Sequence, residues 1–178
     1  MKYCSACGAE VSLRIPAGDQ RPRHVCIACG SIHYLNPKLV VGALPVWEDK
    51  ILLCRRAIEP RMGFWTLPAG FMEIGESTGE AAVRETREEA CARIELNEMY
   101  TLINIPQISQ VHILYRARLL DLDFAPGEES LETRLFAEHE IPWDELSFRS
   151  ISLSLRHYFK DRAQGSFHFR EETLGALS

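Results

Sequence analysis

Apolar residues come in short runs along most of this 178-residue chain, and two stretches shift to a helical period. Leu39 to Trp47 and Lys50 to Arg55 read as strands joined at Glu48-Asp49, a hairpin by pattern. Arg93 to Leu96, Tyr100 to Ile105 and Gln110 to Leu119 read as further strands, the last two separated by a turn at Pro106 to Ser109. Phe124 to Glu132 is a loop by its Pro126-Gly127 and its charges. Ile141 to Leu146 predicts a short helix begun by Pro142. Ser150 to about Arg162 predicts an amphipathic one, with Ile151, Leu155, Tyr158 and Phe159 at i, i+4, i+7 and i+8. Ser166 to Arg170 predicts a last strand before the chain frays.

The second helical stretch is acidic. Ser77 followed by Glu80 reads as a capping box, and the run to Ala92 is rich in Ala, Glu and Arg. At roughly 100° per residue, Glu85, Glu88 and Glu89 share one face. Gly79, Val83, Thr86 and Ala90 fall on the other, a stripe of mostly small residues suited to close packing on a sheet. Three clustered carboxylates repel one another unless cations sit between them, and hard oxygen ligands suit Mg²⁺ or Mn²⁺. A solvated acidic face has the same composition.

Upstream lie two knuckles, Cys4-Ser5-Ala6-Cys7-Gly8 and Cys26-Ile27-Ala28-Cys29-Gly30, with 18 residues between them. Four thiolates in two Cys-x-x-Cys pairs fit a closed tetrahedral Zn²⁺ site with a structural role. Gly8 and Gly30 let the backbone turn so that amides face the sulfurs. His24 and His33 flank the second knuckle, but the four cysteines already complete the set. Asn36-Pro37 marks a break, which gives a ribbon over 1–36, a main domain over 37–163 and a C-terminal tail over 164–178.

The composition, 46% apolar and 25% charged, is that of an ordinary globular protein. A net charge of −5 argues against nucleic acid or an anionic membrane as partner. The longest apolar run is too short to span a bilayer. Met1 to Cys4 leads straight into the knuckles without a signal sequence, so the expected compartment is the cytoplasm, with the six cysteines reduced.

Taken whole, Gly70 to Ala92 resembles the Nudix box, Gly-x5-Glu-x7-Arg-Glu-U-x-Glu-Glu-x-Gly-U, where U is a bulky apolar residue. Gly70, Glu76, Arg84, Glu85, Glu88 and Glu89 match. Thr86, Cys91 and Ala92 depart from it, at positions that concern packing and the helix end. The resemblance covers roughly Lys38 to Arg162 and implies an α/β/α sandwich around a mixed sheet. It implies Mg²⁺- or Mn²⁺-dependent hydrolysis of a nucleoside diphosphate linked to another moiety. Glu85, Glu88 and Glu89 would hold the metal, together with the Ala69 carbonyl and an acidic residue from the loop after the sheet. Glu132 is the choice for that residue, with Glu128 and Glu129 as alternates. Glu88 or Glu132 would act as base, Arg84 would orient the carboxylates, and Glu76 would hold the loop–helix junction. Arg55 and Arg56 are either surface charges or a guanidinium grip on the diphosphate.

The ribbon ahead of such a domain is similar to NADH pyrophosphatases. Those carry a motif close to Ser-Gln-Pro-Trp-Pro-Phe-Pro where this chain has IPQISQV from Ile105 to Val111. The spans VCIACGSIHYLNPKLVVG, FWTLPAGFMEIGES and FAPGEESLETRLFA are more similar to bacterial and plastid ADP-ribose or FAD diphosphatases. Homodimers are common among such enzymes, and one is expected here. A reading of another class is an RNA-binding or decapping protein that grips nucleic acid through the ribbon.

Overall fold

The computed structural model describes residues 1–175 and divides into two compact units, Met1–Pro37 and Lys38–Ser178. The first is a three-stranded antiparallel sheet, β1 (Val11–Arg14), β2 (Arg23–Cys26) and β3 (Ile32–His33), in that order. Gly8 and Gly30 follow the knuckles with φ of 76° and 74°. Their amides donate to the Cys4 and Cys26 carbonyls, at 2.9 and 3.2 Å. These turns aim the Ala6 and Cys29 amides at sulfur, each 3.4 Å from Cys4 Sγ and Cys26 Sγ respectively.

The second unit is built on a mixed sheet. Its strands are β4 (Lys38–Trp47), β5 (Lys50–Arg56), β6 (Trp65–Thr66), β7 (Ala69–Phe71), β8 (Ile94–Ile105), β9 (Gln110–Leu119), β10 (Ser130–Phe136) and β11 (Arg170–Thr173). The order is β10-β5-β4-β9-β8-β11, with β4–β9 and β8–β11 parallel. Two helices, α1 (Thr78–Ala90) and α2 (Arg149–Gln164), cover it. Side chains alternate along a strand, and the packing follows. Leu44 of β4 and Ile51 and Leu53 of β5 pack with Ile151, Leu155, Tyr158 and Phe159 of α2. Their neighbours Ala43, Leu52 and Cys54 pack with Ala90 of α1. The helices therefore lie on opposite faces, and the fold is an α/β/α sandwich.

The hairpin is shorter than its sequence suggests. β4 and β5 pair only at Val46–Ile51 and Trp47–Lys50 and then part. β6 pairs into the fork on β5 and β7 on β4. Gly42 is required there, because a Cβ would lie 2.2 Å from the Pro68 carbonyl oxygen.

Several elements differ from expectation. Ile94–Ile105 is one strand rather than two, because irregularities around Met99 break the alternation without breaking the pairing. Ile141 to Leu146 contains only a single 3-10 turn at Trp143–Glu145. The last strand is Arg170–Thr173 instead of Ser166 to Arg170, since Phe167 is drawn into the core against Tyr100 and Tyr158. Within 164–178, Arg170–Thr173 pairs in parallel with β8 at the sheet edge. Any fraying beyond residue 175 lies outside the described residues. On α1 the buried residues are Ala81, Ala82, Glu85, Thr86, Glu89 and Ala90, while Val83 is 40% exposed. The buried stripe is rotated from the expected one, and it carries two of the glutamates inward. Among the described residues no helix is long and apolar enough to cross a membrane.

Candidate functional site

The capping box forms as read: Ser77 Oγ accepts from Glu80 N–H, and the Glu80 carboxylate accepts from Ser77 N–H at 2.7 Å. Cys91 ends the helix in a left-handed conformation at φ 50°. Between these ends Arg84 gathers the acidic groups. Its guanidinium forks onto Glu76 at 2.7 and 3.0 Å, and Nη1 reaches Glu85 at 2.7 Å and Glu88 at 2.9 Å. Nη2 also donates to the Phe71 carbonyl, tying β7 to the helix. The Arg84 hydrogen bond holds the Glu76 carboxyl down at about 2, and the Glu76 contact raises Arg84 in turn.

Glu89 accepts from the Ala69 amide at 3.2 Å. Burial pushes its carboxyl up to about 8 and raises that of Glu85, the two being 6% and 8% exposed. Two desolvated carboxylates on one helical face form a site that a divalent cation would relieve. The residues present fit such an ion by donor type and by charge. Gly70 leaves room for the arrangement, because a Cβ there would lie 2.3 Å from Glu85 Oε2. Gly70→Ala is expected to displace that flexible carboxylate, not the backbone. kcat should fall about 100-fold with the melting temperature nearly unchanged, as paired kinetics and thermal unfolding would register.

Glu85, Glu88 and Glu89 open onto a cavity of about 1210 Å³, which also meets Ala69, Gly70, Phe71, Arg84 and Arg56. Arg55 and Glu132 do not line it. Glu132 is a strand residue opposite Arg55, with which it makes a half-exposed ion pair at 3.8 Å, and Arg55 Nε is taken by the Gly63 carbonyl. Glu128 and Glu129, the alternates, do line the cavity. A register irregularity between Ser130 and Glu132 places Ser130 inward and Glu132 outward. The loop is docked on the end of α1, with Gly127 N–H donating to Glu89 C=O at 3.0 Å. A Cβ at Gly127 would lie 1.6 Å from the Glu88 carbonyl oxygen.

Sequence reading missed two parts of the cavity, His112 and the start of α2. His112 is buried, burial holding its imidazole down near 4, and it contacts Ser150 Oγ and Gln110 Oε1 at 2.9 and 3.0 Å. The signal was present: a histidine beside Leu114 on the core-facing alternation of β9.

In the first unit Cys4, Cys7, Cys26 and Cys29 bring their sulfurs within 4.8 Å of one another, with Cys7–Cys26 at 3.4 Å and Cys4–Cys29 at 3.8 Å. Tetrahedral Zn–S bonds of about 2.3 Å require sulfurs roughly 3.8 Å apart, so the cluster fits zinc. His33 Nε2 stands 3.2 Å from Cys4 Sγ, an outer partner to the cluster.

The family profile described as NUDIX domain matches residues 36–158, and that described as Nudix N-terminal, a zinc ribbon, matches 2–35. The chain belongs to the Nudix hydrolase family. A solved Nudix hydrolase from Nitrosomonas europaea is 55% identical, covering 99% of this chain and 100% of that one with a TM-score of 0.95. An ADP-ribose pyrophosphatase from Methanocaldococcus jannaschii is 29% identical over 113 residues, 61% of this chain and 67% of that protein. A NAD-capped RNA hydrolase from Pseudomonas aeruginosa is 30% identical over 135 residues, 74% of this chain and 45% of that protein. The chain thus spans less than half the length of this last Nudix relative.

Proposed function

We propose that this chain hydrolyses ADP-ribose to AMP and ribose 5-phosphate with Mg²⁺ or Mn²⁺, FAD to AMP and FMN being the close rival. The observation that carries this reading is one cavity that joins a desolvated glutamate cluster to a buried arginine. At about 1210 Å³ it exceeds the ~300–1,000 Å³ usual for small ligands, which suits a substrate with two moieties. Glu85, Glu89 and Glu88 would hold the cation, with the Ala69 carbonyl beside them. When bound, the cation offsets the charge of the diphosphate and makes water a better nucleophile. Arg84 fixes the carboxylates, and Glu76 anchors Arg84 to the loop before the helix. Glu128 or Glu129 replaces Glu132 as the candidate base, because they face the cavity. Arg56 grips the diphosphate, and Arg55 is left a surface role.

NADH and NAD-capped RNA are a second reading, favoured by the likeness to the Pseudomonas hydrolase. The net charge of −5 still argues against RNA as the main substrate. A panel of ADP-ribose, FAD, NADH, NAD and capped RNA decides: far faster cleavage of NADH or capped RNA overturns the proposal.

In this reading residues 1–36 are a structural ribbon and 37–163 carry the activity. Among the described residues no cysteine is in a disulfide, which suits a reducing compartment such as the cytoplasm. We further propose a homodimer, which analytical ultracentrifugation would test. Elemental analysis is expected to find about one zinc per chain, lost in Cys26→Ser because three thiolates no longer close the tetrahedron.

A further inference from the structure

Ser150, in the first turn of α2, is 1% exposed, so its hydroxyl proton needs an acceptor that bulk water cannot supply. Among the described residues the one partner of Ser150 Oγ is His112 Nδ1, at 2.9 Å. Nδ1 therefore accepts. His112 is buried as well, and burial keeps its imidazole neutral at ordinary pH, with its pKa held down near 4. A neutral imidazole carries a single ring proton, so that proton sits on Nε2 and is donated to Gln110, 3.0 Å away. Of the two carboxamide ends, only Oε1 of Gln110 can accept it. The relay from Ser150 through His112 thus runs in one direction, and it turns the Gln110 NH₂ group away from the imidazole.

Gln110 is half-buried and lines the cavity, on the same strand face as His112 and Leu114. Among the described residues its NH₂ group makes no hydrogen bond, whereas that of nearby Gln107 is taken by the Leu174 carbonyl at 2.9 Å. Lys38, opposite Gln110 in the ladder, has its ammonium over the Phe71 ring, 4.8 Å from the centroid. The surroundings are otherwise apolar: Val40, Phe71, Ile105, Leu114 and Ile151 line the same cavity. The register sets Ala69, whose amide Glu89 accepts from, level with Gly42 and Leu114. Gln110 lies four residues away from Leu114 along β9, about 13 Å. That span suits a base carried on a ribose beyond a diphosphate held at the glutamates.

We propose that the Gln110 amide donates to a ring nitrogen of the substrate's adenine, and that His112 is the positioning residue that fixes it in this orientation. The inference rests on the diphosphatase reading and deepens it by naming the group that recognises the base. Adenine has apolar faces for the aliphatic and aromatic walls and three ring nitrogens that accept. A donor already locked in place binds without first losing rotational freedom, which favours affinity.

Gln110→Met, similar in length but without a donor, should lower kcat/KM for ADP-ribose about fivefold in the full chain. The 1-deaza, 3-deaza and 7-deaza forms of ADP-ribose each replace one ring acceptor with C–H. One of the three should lose a similar factor with wild type and nothing further with Gln110→Met. His112→Leu should raise KM about threefold, more than it changes kcat, and the rise should vanish on the Gln110→Met background. His112→Gln should restore KM, because its amide both accepts from Ser150 and donates to Gln110. Should His112→Leu not fold, Ser150→Ala takes its place, since it frees the imidazole proton to move to Nδ1. A KM effect of the same size on both backgrounds would give His112 a structural role and refute the relay. If wild type turns over ADP-ribose while Gln110→Met and all three deaza forms match it within about twofold, the base is read elsewhere and the inference fails. If wild type cleaves no substrate of the panel, the diphosphatase reading fails. Calorimetry with AMP then decides the seat: weaker binding by Gln110→Met supports it, and equal binding or none by wild type refutes it.

Discussion

Glu89→Gln is expected to lower kcat for the preferred diphosphate by about 1,000-fold, some 4 kcal/mol of barrier, with the folded state intact. Glu89 is the most desolvated carboxylate on the cavity side of α1 and is held by the Ala69 amide at 3.2 Å. Gln keeps an oxygen for that amide and almost the same volume. What it removes is the negative charge, whose burial in the metal-free protein is already unfavourable, as the carboxyl's rise to about 8 reflects. Loss of turnover with unchanged thermal unfolding would separate chemistry from folding. A variant with more than a tenth of wild-type kcat at saturating Mg²⁺ would remove Glu89 from the reaction.

Asp161→Ala is expected to cost about 3–5 kcal/mol of stability, or roughly 10 °C in melting temperature, with little direct effect at the cavity. Asp161, on α2, is fully buried. Its carboxylate accepts two hydrogen bonds from Arg170 of β11, at 2.5 and 2.6 Å, one from Tyr100 Oη of β8 at 2.9 Å and one from His168 N–H. One side chain thus joins helix, central sheet and edge strand. Removing it strands a guanidinium and a buried phenol. Arg170→Leu on top of Asp161→Ala should cost less than the sum of the single changes. The Arg170 hydrogen bonds hold the Asp161 carboxyl well below the usual carboxylate range. Its contribution is accordingly full above the unfolded value of about 3.9 and is lost as pH falls below it. Urea unfolding should find wild type and variant far apart at pH 7 and converging towards pH 2.

Chemistry that depends on near neighbours was legible from residue order. The capping box at Ser77, the paired Cys-x-x-Cys turns, the hairpin at Glu48-Asp49 and the shared face of Glu85, Glu88 and Glu89 all rest on contacts a few residues apart. Backbone geometry alone enforces such contacts. The choice of Arg56 over Arg55, and of Glu128 or Glu129 over Glu132, was not legible. Adjacent strand residues point to opposite faces, and which face meets the cavity depends on the pairing of β10 with β5 and its irregularity near Ser130.

Residue order by itself determined the family-defining acidic helix, the paired cysteines of the ribbon and most strands, since caps, turns and periodicity are local. Only the tertiary structure decided that α1 turns Glu85 and Glu89 inward and that the start of α2 shares their cavity. It alone buried Asp161 at the junction of three elements. Burial and convergence are properties of packing between segments distant in the chain, and no local pattern records them.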